Sequence, residues 1–189
     1  MKNIAVFASG NGTNAERLIG HFSSSPMGRV RLVATENPHA GVLARAQRLQ
    51  VPQLVFTMNE LRNGQVMSKL ADMQIDFIVL AGFLKLMPEA LVEAFAGRIV
   101  NIHPALLPKF GGKGMYGDRV HRAVIAAHEA QSGITIHFVN SHYDEGSTIA
   151  QFTCPVLPTD TPESLAQRVH QLEYAHYPEV VETLLASAR

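Results

Sequence analysis

An asparagine and a histidine stand two residues apart in Asn101-Ile102-His103, at the end of the apolar segment 98–102 and just ahead of Pro104-Ala105-Leu106-Leu107-Pro108-Lys109-Phe110. In an extended segment, side chains at i and i+2 point to the same face, so a carboxamide and an imidazole project together beyond the strand end. That pairing suits acyl transfer, in which one group holds a developing oxyanion and the other moves a proton. The same spacing also describes a polar strand end followed by an ordinary loop. The two prolines stiffen the backbone that follows, and Leu107-Pro108 is a place where a cis bond is accessible.

Two more groupings bear on that choice. Asp144, in His142-Tyr143-Asp144-Glu145-Gly146, is a carboxylate that would stabilise a charged imidazole if the fold brought it to His103. A loop aspartate is more often a solvated turn residue, and spacing alone does not bring it to His103. Ser9-Gly10-Asn11-Gly12-Thr13-Asn14 lies between a short apolar run and an amphipathic one. Glycines there let backbone N–H groups face a ligand, a helix N-terminus favours an anion, and Thr13 and Asn14 add donors, so a phosphate fits. A strand-to-helix turn without a ligand is the other reading. A dinucleotide fingerprint is a weak match, because Ala15 stands where a third glycine belongs, although Glu36 follows near the end of the second strand.

Other chemistries find less support. Nine histidines are scattered without zinc-protease spacing and Cys154 is alone, so no metal is expected. His137 and His142 flank a turn and read as strand-surface residues. No Gly-x-Ser-x-Gly elbow is present, which argues against a serine hydrolase.

These groups need a scaffold, and apolar runs alternating with longer amphipathic segments predict βαβ units. Strands are expected at 4–8, 30–34, 54–56, 77–81 and 99–102, with helices at 14–22, 41–50, 60–73 and 88–97 between them. After Phe110 the run Gly111-Gly112-Lys113-Gly114-Met115-Tyr116-Gly117 fits no regular element. A helix at 120–130, strands at 133–139 and 149–156, and a final helix from Thr161-Pro162, interrupted before Pro178, complete the chain. The expected fold is a doubly wound α/β domain over 1–189, with a mainly parallel sheet and a β-rich C-terminal part. Composition agrees: 47% of the 189 residues are hydrophobic, 17% are charged, and 16 basic balance 16 acidic side chains. No global charge field argues for nucleic acid, and no apolar run approaches the roughly 20 residues of a membrane span. A lone cysteine and an N-terminus without a signal-like run predict a cytoplasmic protein.

Taken together, these motifs resemble the folate-dependent formyltransferases over nearly the whole chain. The resemblance rests on the glycine turn 9–14, Leu80-Ala81-Gly82-Phe83, the Asn-x-His-Pro-x-Leu-Leu-Pro run, Gly133-Ile134-Thr135-Ile136-His137-Phe138-Val139, and Glu173 ahead of Tyr177-Pro178. The glycine turn narrows it to the branch that formylates glycinamide ribonucleotide in purine synthesis. It implies direct attack by that amine on the formyl group of 10-formyltetrahydrofolate, which requires neither a covalent enzyme intermediate nor a metal. Asn101 would stabilise the oxyanion, His103 would transfer the proton, and Asp144 would sustain its charge or position a water. Gly12, Thr13 and Asn14 would hold the substrate phosphate and Glu173 the ribose hydroxyls. Phe83, Leu84, Lys85 and Leu86, with Asn101, Asn140, Tyr143 and Asp144, would form the folate site.

The chain departs from the family pattern in three places. Gly111-Gly112 opens a longer loop than usual, Lys85 replaces a common arginine, and His170 stands where a glutamine meets the substrate. The resemblance admits a deformylase with water as acceptor, and the fold alone admits a nucleotide-binding module without turnover. Partners are expected to be small molecules, with neither nucleic acid nor membrane, and the protein a monomer or homodimer.

Overall fold

The structure is a computed structural model and describes residues 1–187. The elements run β1 (Lys2–Phe7), α1 (Thr13–Phe22), β2 (Gly28–Thr35), α2 (Gly41–Arg48), β3 (Gln53–Val55), α3 (Met58–Arg62), α4 (Gln65–Asp72), β4 (Phe77–Leu80), α5 (Glu89–Ala94), β5 (Ile99–His103), α6 (Asp118–Ala126), β6 (Gln131–Phe138), β7 (Thr148–Pro155) and α7 (Pro162–Ser187). One seven-stranded sheet has the order β3-β2-β1-β4-β5-β6-β7. The first five strands pair in parallel, and β6 and β7 add antiparallel. The order turns back between β1 and β4, the kind of switch point where open α/β sheets hold ligands beyond the strand ends.

Central strands are covered on both faces, which is why their sequences read as apolar runs. Ile4 and Val6 join Leu18, Phe22 and Val33 under one layer, to which α1, α2, α6 and α7 contribute. Ala5 and Phe7 pack on the other side with Phe56, Leu70, Ile78 and Ile99. The alternation within β1 therefore feeds two cores at once.

Two expected elements differ. The helix expected at 60–73 is two helices. Thr57 and Glu60 close a capping box that starts α3 earlier, with Thr57 Oγ1 accepting from the Glu60 amide at 3.2 Å and the Glu60 carboxylate accepting from the Thr57 amide at 2.6 Å. Asn63 Oδ1 then accepts from the Gln65 amide at 3.1 Å and opens α4. The final helix, expected to break before Pro178, instead continues through it to Ser187. An interior proline removes one backbone hydrogen bond and costs about 3 kcal/mol. Here it is offset by a buried stripe at four-residue spacing, Leu165, Val169, Glu173, Tyr177, Val181 and Leu185.

Tyr177 locks this helix beneath the site. It is fully buried, and its hydroxyl donates to the Leu80 carbonyl at the end of β4 at 2.8 Å, with Val100 O, near the start of β5, at 3.4 Å. Tyr177→Phe is expected to lower unfolding free energy by about 1–2 kcal/mol, since carbonyls lose a buried donor. Urea unfolding midpoints measure this, and an unchanged midpoint would contradict it.

Candidate active site

β5 delivers Asn101 and His103 to one face, as their spacing requires, and β6 lies antiparallel beside it. The register sets Asn101 opposite His137 and His103 opposite Thr135. His137 Nδ1–H donates to the Phe138 carbonyl at 2.8 Å, so its Nε2 is the acceptor for Asn101 Nδ2 at 3.2 Å. The Asn101 amide is thereby oriented, and its second N–H is uncommitted among the described residues. Thr135 anchors the proline run: its hydroxyl donates to Ala105 O at 2.7 Å and accepts from the Leu107 amide at 3.0 Å. The Leu107-Pro108 bond is cis.

The β6–β7 connection brings Asp144 back to this face. A Cβ on Gly146 would lie 1.7 Å from Phe138 O, so only glycine lets the returning chain pass that close. Asp144 Oδ2 sits 3.5 Å from His103 Nδ1, and Oδ1 sits 3.7 Å from His137 Nε2. The His103 side chain is 4% exposed and that of Asp144 11%. Burial pushes the His103 ring below the usual imidazole range; Asp144 and the Phe110 carbonyl counter this incompletely, and His137 adds to the depression. The ring is therefore neutral near pH 7 and free to take a proton. Burial pushes the Asp144 carboxyl up, but the opposing contacts, with the Gly112 amide donating to Oδ2 at 2.9 Å among them, outweigh it and leave the group below its usual range.

The glycine turn lies at the start of α1. Gly12 adopts φ 76°, and a Cβ there would lie 2.4 Å from Val42 Cγ2. Asn14 Nδ2 donates to Glu173 Oε2 at 2.8 Å, joining the turn to α7 across 159 positions of sequence. Burial pushes Glu173 above its usual range, although Asn14 and His170 oppose this. Gly12, Thr13, Asn14 and Glu173 thus form one cluster, and α7 carries Tyr177 one turn further to the end of β4.

Among the residues expected at the folate site, Lys85, Leu86 and Tyr143 line a cavity of about 500 Å³ with Met58, Arg62, Met87, Pro88, Glu89 and Ser141. Leu84 lies beside it on the same segment and is 40% exposed. The Phe83 side chain is instead buried against Phe7 and Phe56, at ring separations of 5.5 and 6.2 Å. Asn140 Oδ1 accepts from the His142 amide at 2.9 Å and shapes the loop that carries Tyr143. Glu36, weighed as a ribose-binding acid, accepts from the Ser9 hydroxyl at 3.1 Å, and that hydroxyl accepts from the Leu84 amide. A second cavity of about 470 Å³ runs along the outer face of α1, where it meets the glycine turn only at Thr13.

Sequence reasoning missed two residues here. His137, expected on the strand surface, is buried and orients Asn101. The available signal is its two-residue spacing from Thr135, which mirrors Asn101 and His103 once the two strands pair. Arg62 has no sequence signal, because α3 meets the 85–88 segment only in three dimensions.

Behind the site, His121 is buried and its Nδ1 has no partner among the described residues. Burial, and then the neighbouring His170, push it down to about 4. An unfolded chain binds this proton near the ordinary imidazole value of 6.5, so stability is complete above that pH and is lost as pH falls toward 4. The loss is on the order of 2–3 kcal/mol. Urea midpoints at pH 7 and 4.5 are expected to converge in His121→Leu relative to the unsubstituted protein. Equal pH sensitivity in both would refute the assignment.

A chloroplastic phosphoribosylglycinamide formyltransferase of Arabidopsis thaliana is 46% identical over 187 residues, covering 95% of this chain and 64% of the relative. The chain thus spans less than two thirds of that relative's length. The phosphoribosylglycinamide formyltransferase of Bacillus subtilis is 35% identical, with 98% and 95% of the two chains covered. The crystal structure of phosphoribosylglycinamide formyltransferase from Streptococcus pneumoniae superposes with a TM-score of 0.86 at 40% identity, covering 97% of this chain and 99% of that one. A family model described as formyl transferase matches residues 2–181, which takes in the glycine turn, the Asn101–His103 strand end, Asp144 and Glu173, and the chain belongs to that family.

Proposed function

We propose that the chain transfers the formyl group of 10-formyltetrahydrofolate to the amine of glycinamide ribonucleotide, a reaction of purine synthesis. The observation that carries this reading is the gathering of Asn101, His103 and Asp144 around one strand end, within a fold that joins a glycine turn to Glu173. The turn suits a phosphate, and Glu173 suits ribose hydroxyls. The cavity beside Leu86 and Met87 offers an apolar floor for a flat heterocycle, and Arg62 and Lys85 offer cations for the carboxylates of a glutamyl tail. Those residues fit the formyl donor.

Asn101 donates its free N–H to the formyl oxygen as negative charge develops. His103 accepts the proton that the attacking amine loses, and Asp144 stabilises the resulting imidazolium. This scheme accords with a single catalytic domain that works on small molecules in the reducing environment of the cytoplasm, as a monomer or homodimer.

The test is loss of the formyl group from 10-formyltetrahydrofolate, followed spectrophotometrically with and without glycinamide ribonucleotide. Ribonucleotide-dependent loss with formylated product is expected. Loss that ignores the ribonucleotide would make the chain a deformylase, and no loss in either case would leave a binding module or another acceptor.

A further inference from the structure

The wall that Lys85, Leu86, Met87 and Pro88 give to the cavity of about 500 Å³ belongs to neither a strand nor a helix. β4 ends at Leu80 and α5 starts at Glu89, so no ladder or helical turn orients the backbone between them. Among the described residues, the backbone of 83–87 makes a single hydrogen bond, in which the Leu84 amide donates to Ser9 Oγ at 2.9 Å. The other anchors are apolar: the Phe83 ring packs against Phe7, and the Met87 side chain is buried. Apolar packing is non-directional, so it does not choose how the peptide planes between those anchors turn.

Ser9 is well placed to make that choice. Its hydroxyl gives its proton to Glu36 Oε2 at 3.1 Å, which leaves its lone pairs for the Leu84 amide. Its backbone is fixed on both sides. The Ser9 amide donates to the Gly82 carbonyl at 3.0 Å, and the Ser9 carbonyl accepts from Asn37 Nδ2 at 3.2 Å. The residue is buried, so water competes little for these bonds.

We propose that Ser9 is a positioning residue for the formyl donor, although it opens the turn that faces the phosphate. Held by Glu36, its hydroxyl fixes the Leu84 amide and thereby sets how the 85–88 wall meets the donor's heterocycle. The inference rests on the formyl-transfer reading above and deepens its donor site. The phosphate side does not need this hydroxyl. Gly10 O accepts from the Val42 amide at 3.1 Å and Asn11 O from Arg45 Nε at 2.7 Å, and both bonds survive when Ser9 loses its side chain.

Ser9→Ala separates the two sides. Calorimetric titration with tetrahydrofolate alone, and with glycinamide ribonucleotide alone, reads each site without turnover. Ser9→Ala is expected to weaken tetrahydrofolate about tenfold, the scale of one buried hydrogen bond, and to change ribonucleotide affinity by less than about twofold. Amide hydrogen exchange at Leu84 reads the contact with no ligand present and is expected to quicken about tenfold or more in the same variant. Glu36→Gln keeps an acceptor for the hydroxyl and is expected to bind tetrahydrofolate as the unsubstituted protein does. Glu36→Leu frees the hydroxyl to rotate and is expected to weaken tetrahydrofolate in the direction of Ser9→Ala.

Unchanged tetrahydrofolate affinity, or unchanged Leu84 exchange, in Ser9→Ala would overturn the proposal. So would loss of ribonucleotide affinity by the same factor, which would make Ser9 part of the phosphate site or of the general fold. If Ser9→Ala does not fold, the Glu36 pair carries the test, and equal tetrahydrofolate affinities in Glu36→Gln and Glu36→Leu would refute it. An unsubstituted protein that binds no folate, while its Leu84 exchange depends on Ser9, would refute the functional reading alone.

Discussion

Changing His103 to alanine is expected to lower kcat by about 10²–10⁴-fold, the range that a positioned general base contributes. The ring is buried beside Asp144 at 3.5 Å and is kept neutral by that burial, so at pH 7 it is ready to accept a proton. Affinity for the formyl donor is expected to stay nearly unchanged, because the Lys85, Leu86 and Tyr143 cavity does not include His103. Single-turnover rates with a separate binding titration distinguish the two effects. A near-normal rate would remove His103 from proton transfer, and lost binding would make it a substrate ligand. The pH profile carries a second sign. The ring's folded pKa lies below the ordinary value of 6.5, so activity is expected to hold through pH 7 and to fall on the acid side of 6.5. An acid limb centred above that value would contradict a buried neutral base.

Asn101→Ala is expected to cost about 10²–10³-fold in kcat, the scale of one lost oxyanion donor. Its effect differs in kind from that of His103, since Asn101 contributes a fixed dipole and no titration. One N–H of the amide is spent on His137 Nε2 at 3.2 Å, which holds the other in place before charge develops. Asn101→Asp is expected to be at least as damaging, because a carboxylate of the same shape repels the oxyanion that the amide would hold. Rates for both variants, set beside their affinities for the formyl donor, check this. An aspartate variant faster than the alanine variant would show that shape matters more than the donor, and would sink the oxyanion role.

Much of this scaffold is legible from local patterns because the forces behind them are local. The runs around Val6, Val33, Ile78 and Val100 are largely apolar, and each forms a strand buried on two faces. The glycine turn at 9–14 opens a helix where expected. The failures are equally physical. Whether a helix breaks at Asn63 or crosses Pro178 depends on capping and burial together, and only the packed stripe on α7 reveals that the proline is tolerated.

The same division runs through the site. By itself the sequence determined that Asn101 and His103 share a face, because a strand alternates with a period of two whatever surrounds it. It also placed flexible backbone at Gly12 and after Phe110. Only the tertiary structure decided that Asp144 returns to His103, that His137 lies opposite Asn101, that Glu173 meets Asn14, and that Phe83 turns into the core. Those contacts join residues tens to more than a hundred positions apart. They are set by strand register and by which apolar faces bury together, quantities that no stretch of chain carries alone.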